Sequence, residues 1–224
     1  MNKESKKAII LKYEKLLSLI YRFIGRNKIH VSKGNRLELG NVFMKGCTIN
    51  ISGQNNLVKI ESGLTRLTNS KLFISGNNCK LLIGASCNLK RSELLVEDDN
   101  GSIIIGKHVT IHGPIHLSVI EGTTISIGED CLISSSISFS TGDSHSVIDK
   151  STGLRINPSA DIKIGDHVWI GQGVRILKGV TIGDHSIVAL GALITSNDYP
   201  ANSVIGGIGG KVLKTGIDWL AERI

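Results

Sequence analysis

Among the seven histidines of this 224-residue chain, His145 stands where a proton acceptor would be useful. It is flanked by Asp143, Ser144 and Ser146, inside a polar run (140–160) with no regular apolar spacing. An imidazole titrates near neutrality, so it can take a proton from a hydroxyl and pass it to a leaving group. The alternative is a solvated loop histidine. No serine or cysteine is paired with a base, which points to direct transfer rather than a covalent intermediate. Downstream, Trp169 lies in Ile164-Gly-Asp-His-Val-Trp-Ile-Gly. It is expected to point outward, as an apolar wall with an N–H donor or as a packing residue against the loop or another subunit. Gly171 and Gly173 would let a ligand approach the backbone closely.

These residues are positioned by a repeat of six. Ile164, Ile170, Ile176, Ile182, Val188 and Ile194 follow one another without a break, four of them succeeded by Gly or Ala. Helices repeat apolar positions at 3 and 4 and strands at 2. A period of six fits a chain that turns a corner every six residues, with one aliphatic per side directed into a triangular interior. Upstream, Ile60, Ile83, Ile105 and Ile127 recur every 22 or 23 residues, and the six-residue step survives inside each unit. The surplus falls at one corner rich in Asn, Asp and Gly, residues suited to tight turns. The register lapses after Phe139 and resumes at Ile164, so 140–160 is a loop ejected from a regular scaffold, where function concentrates.

The remaining features bound the reading. Aromatic residues make up 4% of the chain, in keeping with a narrow interior that has no room for rings. Cys47, Cys79, Cys87 and Cys131 form no CxxC pair and read as small buried residues in a reducing compartment. No signal peptide and no membrane-spanning run is visible, so a cytoplasmic protein is expected. The formal charge of +7 is concentrated in the first 36 residues. There, 4–25 predicts a helix that packs on the solenoid or a neighbouring subunit; the second reading is a basic amphipathic helix on the inner leaflet of the membrane. No nucleic-acid reader motif is present. Residues 217–223 predict a short C-terminal helix, with Trp219 as its packing residue. His167 and His185 read as solvent-facing turn residues on successive coils, and His108, His112 and His116 do not converge as three zinc ligands would. No metal is expected.

The text from Ile164 to Gly171, and Gly179-Val-Thr-Ile-Gly-Asp184, resembles the hexapeptide-repeat acyltransferases. The resemblance covers 100–214 well and the earlier coils loosely. It implies an all-β fold, a left-handed parallel β-helix over 37–214, preceded by an N-terminal helix and linker (1–36) and followed by a C-terminal helix (215–224). The Gly-Asp-Ser-His-Ser loop resembles that of O-acetyltransferases of surface polysaccharides, which implies His145 as the base and Trp169 as a catalytic and cofactor-lining residue. Asp143 and Ser144 become candidate acceptor-binding residues. Gly171, Gly191 and Ala192 become candidate pantetheine contacts of acetyl-CoA. The lysine that the family often places at the end of the coils is missing, and Gly207-Ile-Gly-Gly-Lys211 replaces its usual Gly-Asn-Pro-Ala-Arg, so Lys211 and Lys214 are the candidates for the CoA phosphates. The resemblance further implies a homotrimer with sites between neighbours, acetyl-CoA as donor and a capsular or lipopolysaccharide glycan as acceptor. An N-acetyltransferase acting on a nucleotide-linked amino sugar and a non-catalytic solenoid scaffold are the alternative readings.

Overall fold

The computed structural model describes residues 13–195, 197–222 and 224. The chain winds into a triangular solenoid whose three faces are sheets of eight, eight and nine strands. The first face runs from Lys28–Val31 to Leu193–Ile194, the second from Arg36–Leu39 to Asn197–Tyr199, and the third from Phe43–Lys45 to Ser203–Gly206. Every pair is parallel except the last, where Lys211–Thr215 folds back antiparallel on Ser203–Gly206 and closes the third face. The first strand begins at Lys28, upstream of residue 37, where the sequence pattern becomes visible.

The period of six maps onto the faces one by one. Ile164 and Ile182 lie on the second face, Ile170 and Val188 on the third, Ile176 and Ile194 on the first. All six side chains are buried in a single core. Neighbouring coils stack like on like: Ile49, Leu72, Leu94, Leu117, Phe139, Ile176 and Ile194 form one continuous ladder up the first face. Burying each such side chain contributes about 1.5–3 kcal/mol. The four cysteines are within this core. Burial pushes the Cys87 thiol up to about 11 and the Cys131 thiol up to about 12, so neither is a thiolate at neutral pH.

The longer corner lies between the first and second faces. Asn55, Asn78 and Asn100 occupy its tip with φ of 58°, 58° and 63°, the left-handed conformation that asparagine tolerates. Below them Asn56 is buried and fully used. Its Nδ2 donates to Ser52 O and Gly76 O, both at 2.8 Å, and its Oδ1 accepts from Cys79 N at 2.7 Å. The ejected 140–160 segment emerges at this same corner, so it is an enlargement of a feature each earlier coil already has.

Helix α1 (Glu14–Ile24) is the described part of the predicted N-terminal helix; 4–12 lies outside the described residues. It ends at Gly25, where a Cβ would come within 2.2 Å of Met44 O. It lies on the solenoid with the Tyr21 ring edge-on to Phe43, centroids 5.6 Å apart, and much of its fastening is polar. Glu14 caps the amides of Gly63 and Leu64 at 2.9 and 2.7 Å, and Arg22 Nη2 donates to Gly40 O at 2.9 Å. Leu16, Leu19, Ile20, Phe23 and Ile24 are exposed. No helix among the described residues is long and apolar enough to cross a membrane.

The predicted C-terminal helix is absent among the described residues. The tail runs non-helically because its polar groups are spent on the solenoid. Asn202 Nδ2 donates to Ile217 O and Ile217 N donates to Asn202 O, both at 3.0 Å. Trp219 Nε1 donates to His167 O at 2.7 Å, and its ring stacks on the His167 imidazole at 4.3 Å and 9°. Trp219 is buried, as expected of a packing residue, but against a corner rather than within a helix.

Candidate active site

The 140–160 segment is an ordered structure. Thr141 is buried at its base, and Ala160 N donates to Thr141 O at 2.9 Å, so exit and return are joined. Between them Ile148 and Arg155 form an antiparallel bridge. The turn at its tip is built on Asp149, whose Oδ1 accepts from the amides and hydroxyls of Ser151 and Thr152 at 2.6–3.1 Å. These bonds, led by the Ser151 hydroxyl, hold the Asp149 carboxyl at about 2. Arg155 Nη2 ties the hairpin down to Glu121 of the preceding coil at 2.7 Å.

His145 sits on the limb entering this hairpin, and Asn157 organises its surroundings. Asn157 Nδ2 donates to His145 O and to Asp143 Oδ2, both at 2.8 Å, while its Oδ1 accepts from Val147 N at 2.7 Å. Lys178, from the coil above, pairs with Asp143 and donates to Asn157 O at 3.1 Å. Ser144, immediately before the histidine, has φ +62°. The main chain on both sides of His145 is therefore fixed, while its side chain is exposed and has no hydrogen-bond partner among the described residues. A group arriving from solvent could reach the imidazole. Asp143 is placed otherwise than as a free acceptor-binding carboxylate: its Oδ2 is engaged by Lys178 and Asn157, which hold its carboxyl below the usual range, Lys178 first.

Asp143 shares in the acid limit of the loop with Asp149 and Glu121, whose carboxyls are also held low. A carboxyl depressed in the folded state contributes stability at pH above its unfolded value, and that contribution is lost as pH falls through the folded value. The expected result is a loop whose amide exchange protection holds at neutrality and drops below the ordinary carboxylate range. Asn157→Ala should produce the same loosening at neutral pH, with kcat reduced and the solenoid's melting temperature nearly unchanged. Hydrogen exchange of 143–157 with parallel kinetics checks both; unchanged exchange in the variant would count against the bracing role.

Trp169 opens the strand Trp169–Ile170 on the third face and is 40% exposed, as the outward reading predicts. Register extends it into a row: Trp169 pairs with Ile187, Ile187 with Val204, and Val204 with Lys214. Lys214 thus lies three strands from the indole on one sheet, roughly 14 Å away at the usual strand spacing. Lys211 is on the same edge strand, opposite Gly206. Trp219 packs beside Trp169, with ring centroids 6.1 Å apart.

The other carried-over positions divide. Gly191 is open, with φ +70° and nothing within 4 Å of a Cβ. Gly171 is a packing glycine, because a Cβ there would lie 2.7 Å from Leu190 N. Ala192 is buried in the core, so a ligand could reach it only through its backbone. His167 and His185 do occupy stacked left-handed corners, with φ 53° and 57°. They do not simply face solvent, because Trp219 covers His167 and Asp218 lies within 3.3 Å of His185.

One chain does not bring His145 and Trp169 together. The loop rises from the corner between the first and second faces, and its tethers go to Glu121 and Lys178 at that same corner. Trp169 is on the third face, across the triangle. A single solenoid face is also too flat to enclose a substrate. A groove of about 430 Å³ lined by Arg91, Glu93 and His116 contains neither residue. On the loop, Val147, Ile148, Leu154 and Ile156 are 50–67% exposed. Sequence reasoning did not single out Asn157 and Lys178, whose contacts with the His145 limb span 10 to 35 residues and belong to no periodic pattern.

Comparison with known proteins supports the same architecture. The family described as bacterial transferase hexapeptide (six repeats) matches residues 161–196. A polysialic acid O-acetyltransferase of Neisseria meningitidis is 32% identical over 148 residues, covering 57% of this chain and 68% of that protein. A polysialic acid O-acetyltransferase of Escherichia coli O1:K1 / APEC is 30% identical over 125 residues, covering 56% of this chain but 40% of that protein. Among solved structures, the polysialic acid O-acetyltransferase OatWY superposes with a TM-score of 0.71 at 28% identity, over 88% of this chain and 89% of that one.

Proposed function

The chain belongs to the hexapeptide-repeat acetyltransferases, and from that premise we propose that it transfers an acetyl group from acetyl-CoA to a hydroxyl of a bacterial surface polysaccharide. The observation that carries the proposal is His145, its backbone braced on both sides and its imidazole without a hydrogen-bond partner among the described residues. The names of the relatives, polysialic acid O-acetyltransferases, support a glycan acceptor.

His145 takes the acceptor hydroxyl proton as its oxygen attacks the thioester carbonyl. The tetrahedral intermediate collapses by breaking the C–S bond, and the imidazolium returns the proton to the leaving CoA sulfur. No protein thioester is needed, and the cysteines are buried in the core, with the Cys87 and Cys131 thiols pushed up to about 11 and about 12. Trp169 forms an apolar wall for the acetyl and pantetheine groups, Gly191 leaves room beside them, and Lys214 and Lys211 meet the phosphates further along the same face. Asp143 and Ser144 orient the loop against the acceptor. Holding both substrates in one cleft supplies much of the rate by orientation.

The cleft is composed of two subunits. In a homotrimer the 140–160 loop of one subunit lies against the third face of the next, which buries the exposed aliphatics of the hairpin and sets His145 opposite Trp169. Light scattering is expected to show a trimer, and Ile148→Asp with Leu154→Asp to shift it to monomers without acetylation. Mixed trimers of His145→Ala and Trp169→Ala chains should regain activity that neither variant has alone, since one interface then holds both native residues; failure to complement would reject the shared site. The function itself is tested by incubation with acetyl-CoA and a panel of glycans. Release of free CoA together with a mass gain of one acetyl group on a glycan is expected. A protein that neither binds nor turns over acetyl-CoA would be a scaffold.

A further inference from the structure

We propose that His167, His185 and Asp218 form a binding site for a transition-metal dication, zinc being the best fit, that clamps the C-terminal tail to the solenoid. The two histidines are held by the fold. They occupy the same corner of successive coils, between the second and third faces, in the left-handed conformation. The parallel register Trp169↔Ile187 and the bond from His185 N to Asp166 O at 2.9 Å fix their separation, and their ring centroids are 5.2 Å apart. Neither is used by the acyl-transfer chemistry.

The third group arrives from the tail. Asp218 Oδ1 lies 3.3 Å from His185 Nδ1 and 3.6 Å from His167 Nε2, and the three candidate ligand atoms all fall within 4.8 Å of one another. A tetrahedral zinc site with metal–ligand bonds of about 2.0–2.1 Å has ligand–ligand edges of roughly 3.3–3.4 Å. The two distances to Asp218 are already close to that edge. His167 Nε2 donates to Trp219 O at 3.0 Å, so an ion taken up at this nitrogen replaces that proton and leaves the carbonyl oxygen beside it. Two imidazole nitrogens with a carboxylate suit zinc, nickel or copper better than magnesium or calcium, which prefer all-oxygen sets.

The cluster differs from the chain's other histidine–carboxylate pairs. His108 with Asp130 and His116 with Glu93 are two-group contacts at 3.2 Å. Here a third ligand comes from a separate segment whose position is set independently by Asn202 and by the Trp219 N–H bond. Occupancy by the metal and docking of the tail are therefore linked: an ion that binds the docked form favours docking. Trp219 is then held against Trp169.

Calorimetric titration of the untagged full chain with zinc sulfate tests this, with thermal unfolding run alongside. One saturable site is expected, together with a rise in Tm that EDTA reverses. His185→Ala and, separately, Asp218→Ala should each weaken zinc binding about 100-fold or more, since even an outer partner of a metal ligand is worth about 10–100-fold. His108→Ala should leave it unchanged. In Trp169→Phe the remaining tryptophan, Trp219, should report zinc by a change in emission, a readout that does not depend on acetyl transfer. No saturable uptake by the wild-type chain, or uptake that both ligand variants retain, would overturn the site and leave the acetyltransferase proposal untouched.

Discussion

Replacing His145 with alanine is expected to lower kcat for acetyl transfer by about 10²–10⁴-fold, the range for losing a general base. The side chain is exposed and makes no hydrogen bond among the described residues, so its removal should leave folding intact. The loop backbone is held by Asn157, Lys178 and Arg155 rather than by the imidazole. The loss should therefore fall on kcat, with the KM for acetyl-CoA nearly unchanged, because the wall along Trp169 and Lys214 is intact. His145→Gln should fail equally, since an amide can hold a hydrogen bond but cannot take the proton. Steady-state kinetics over both substrates make the test. Activity within a few-fold of wild type would remove His145 from the chemistry and, with it, the reason for reading the loop as an active-site loop.

The second large effect is on stability. Phe139→Ala should destabilise the fold by about 3–5 kcal/mol, the cost of emptying a fully buried ring site. Phe139 is 0% exposed and is stacked between Leu117 and Ile176 on the first-face ladder. A solenoid interior is narrow and in contact only with adjacent coils, so few side chains can move into the space. Ile176→Val, one rung above, should cost about 0.5–1.5 kcal/mol and serves as a graded control. Denaturant unfolding at fixed protein concentration checks both, because trimer formation would make the midpoint depend on concentration. The position also carries the loop: Ser140 follows directly, and Thr141 is buried next to it. A Phe139 variant that lost no stability would mean that the ladder is not the principal source of cohesion.

The residues that could be read correctly from the sequence are those bound by the period. Ile164, Ile170 and Ile176 fall on three different faces because six residues make one side and a parallel ladder permits no slip that keeps every aliphatic inside. Trp169, one place before Ile170, had to face outward by alternation. The polar corners were legible for a similar reason, since Asn55 and Asn78 recur where the backbone must turn left-handed. The interruption at 140–160 was legible only as an interruption. Its internal structure depends on Asp149, Asn157 and Lys178, each placed by hydrogen bonds that no repeat dictates. The C-terminal segment differs for the complementary reason: the sequence predicts a short helix over 217–223, while contacts with Asn202 and His167, distant in sequence, hold the backbone in a non-helical path.

The solenoid, its stacked core and the point at which the repeat lets a histidine out follow from the spacing of six and its interruption, while the family follows from the resemblance of the motifs around Ile164 and His145. That the His145 loop rises from one corner while Trp169 occupies the opposite face, and that the tail comes to rest on His167 and His185, is visible in the folded chain alone. Those placements are set by a few long-range polar bonds and ring contacts, whose partners are chosen by the direction a loop takes after leaving the coils, and that direction has no period to be read.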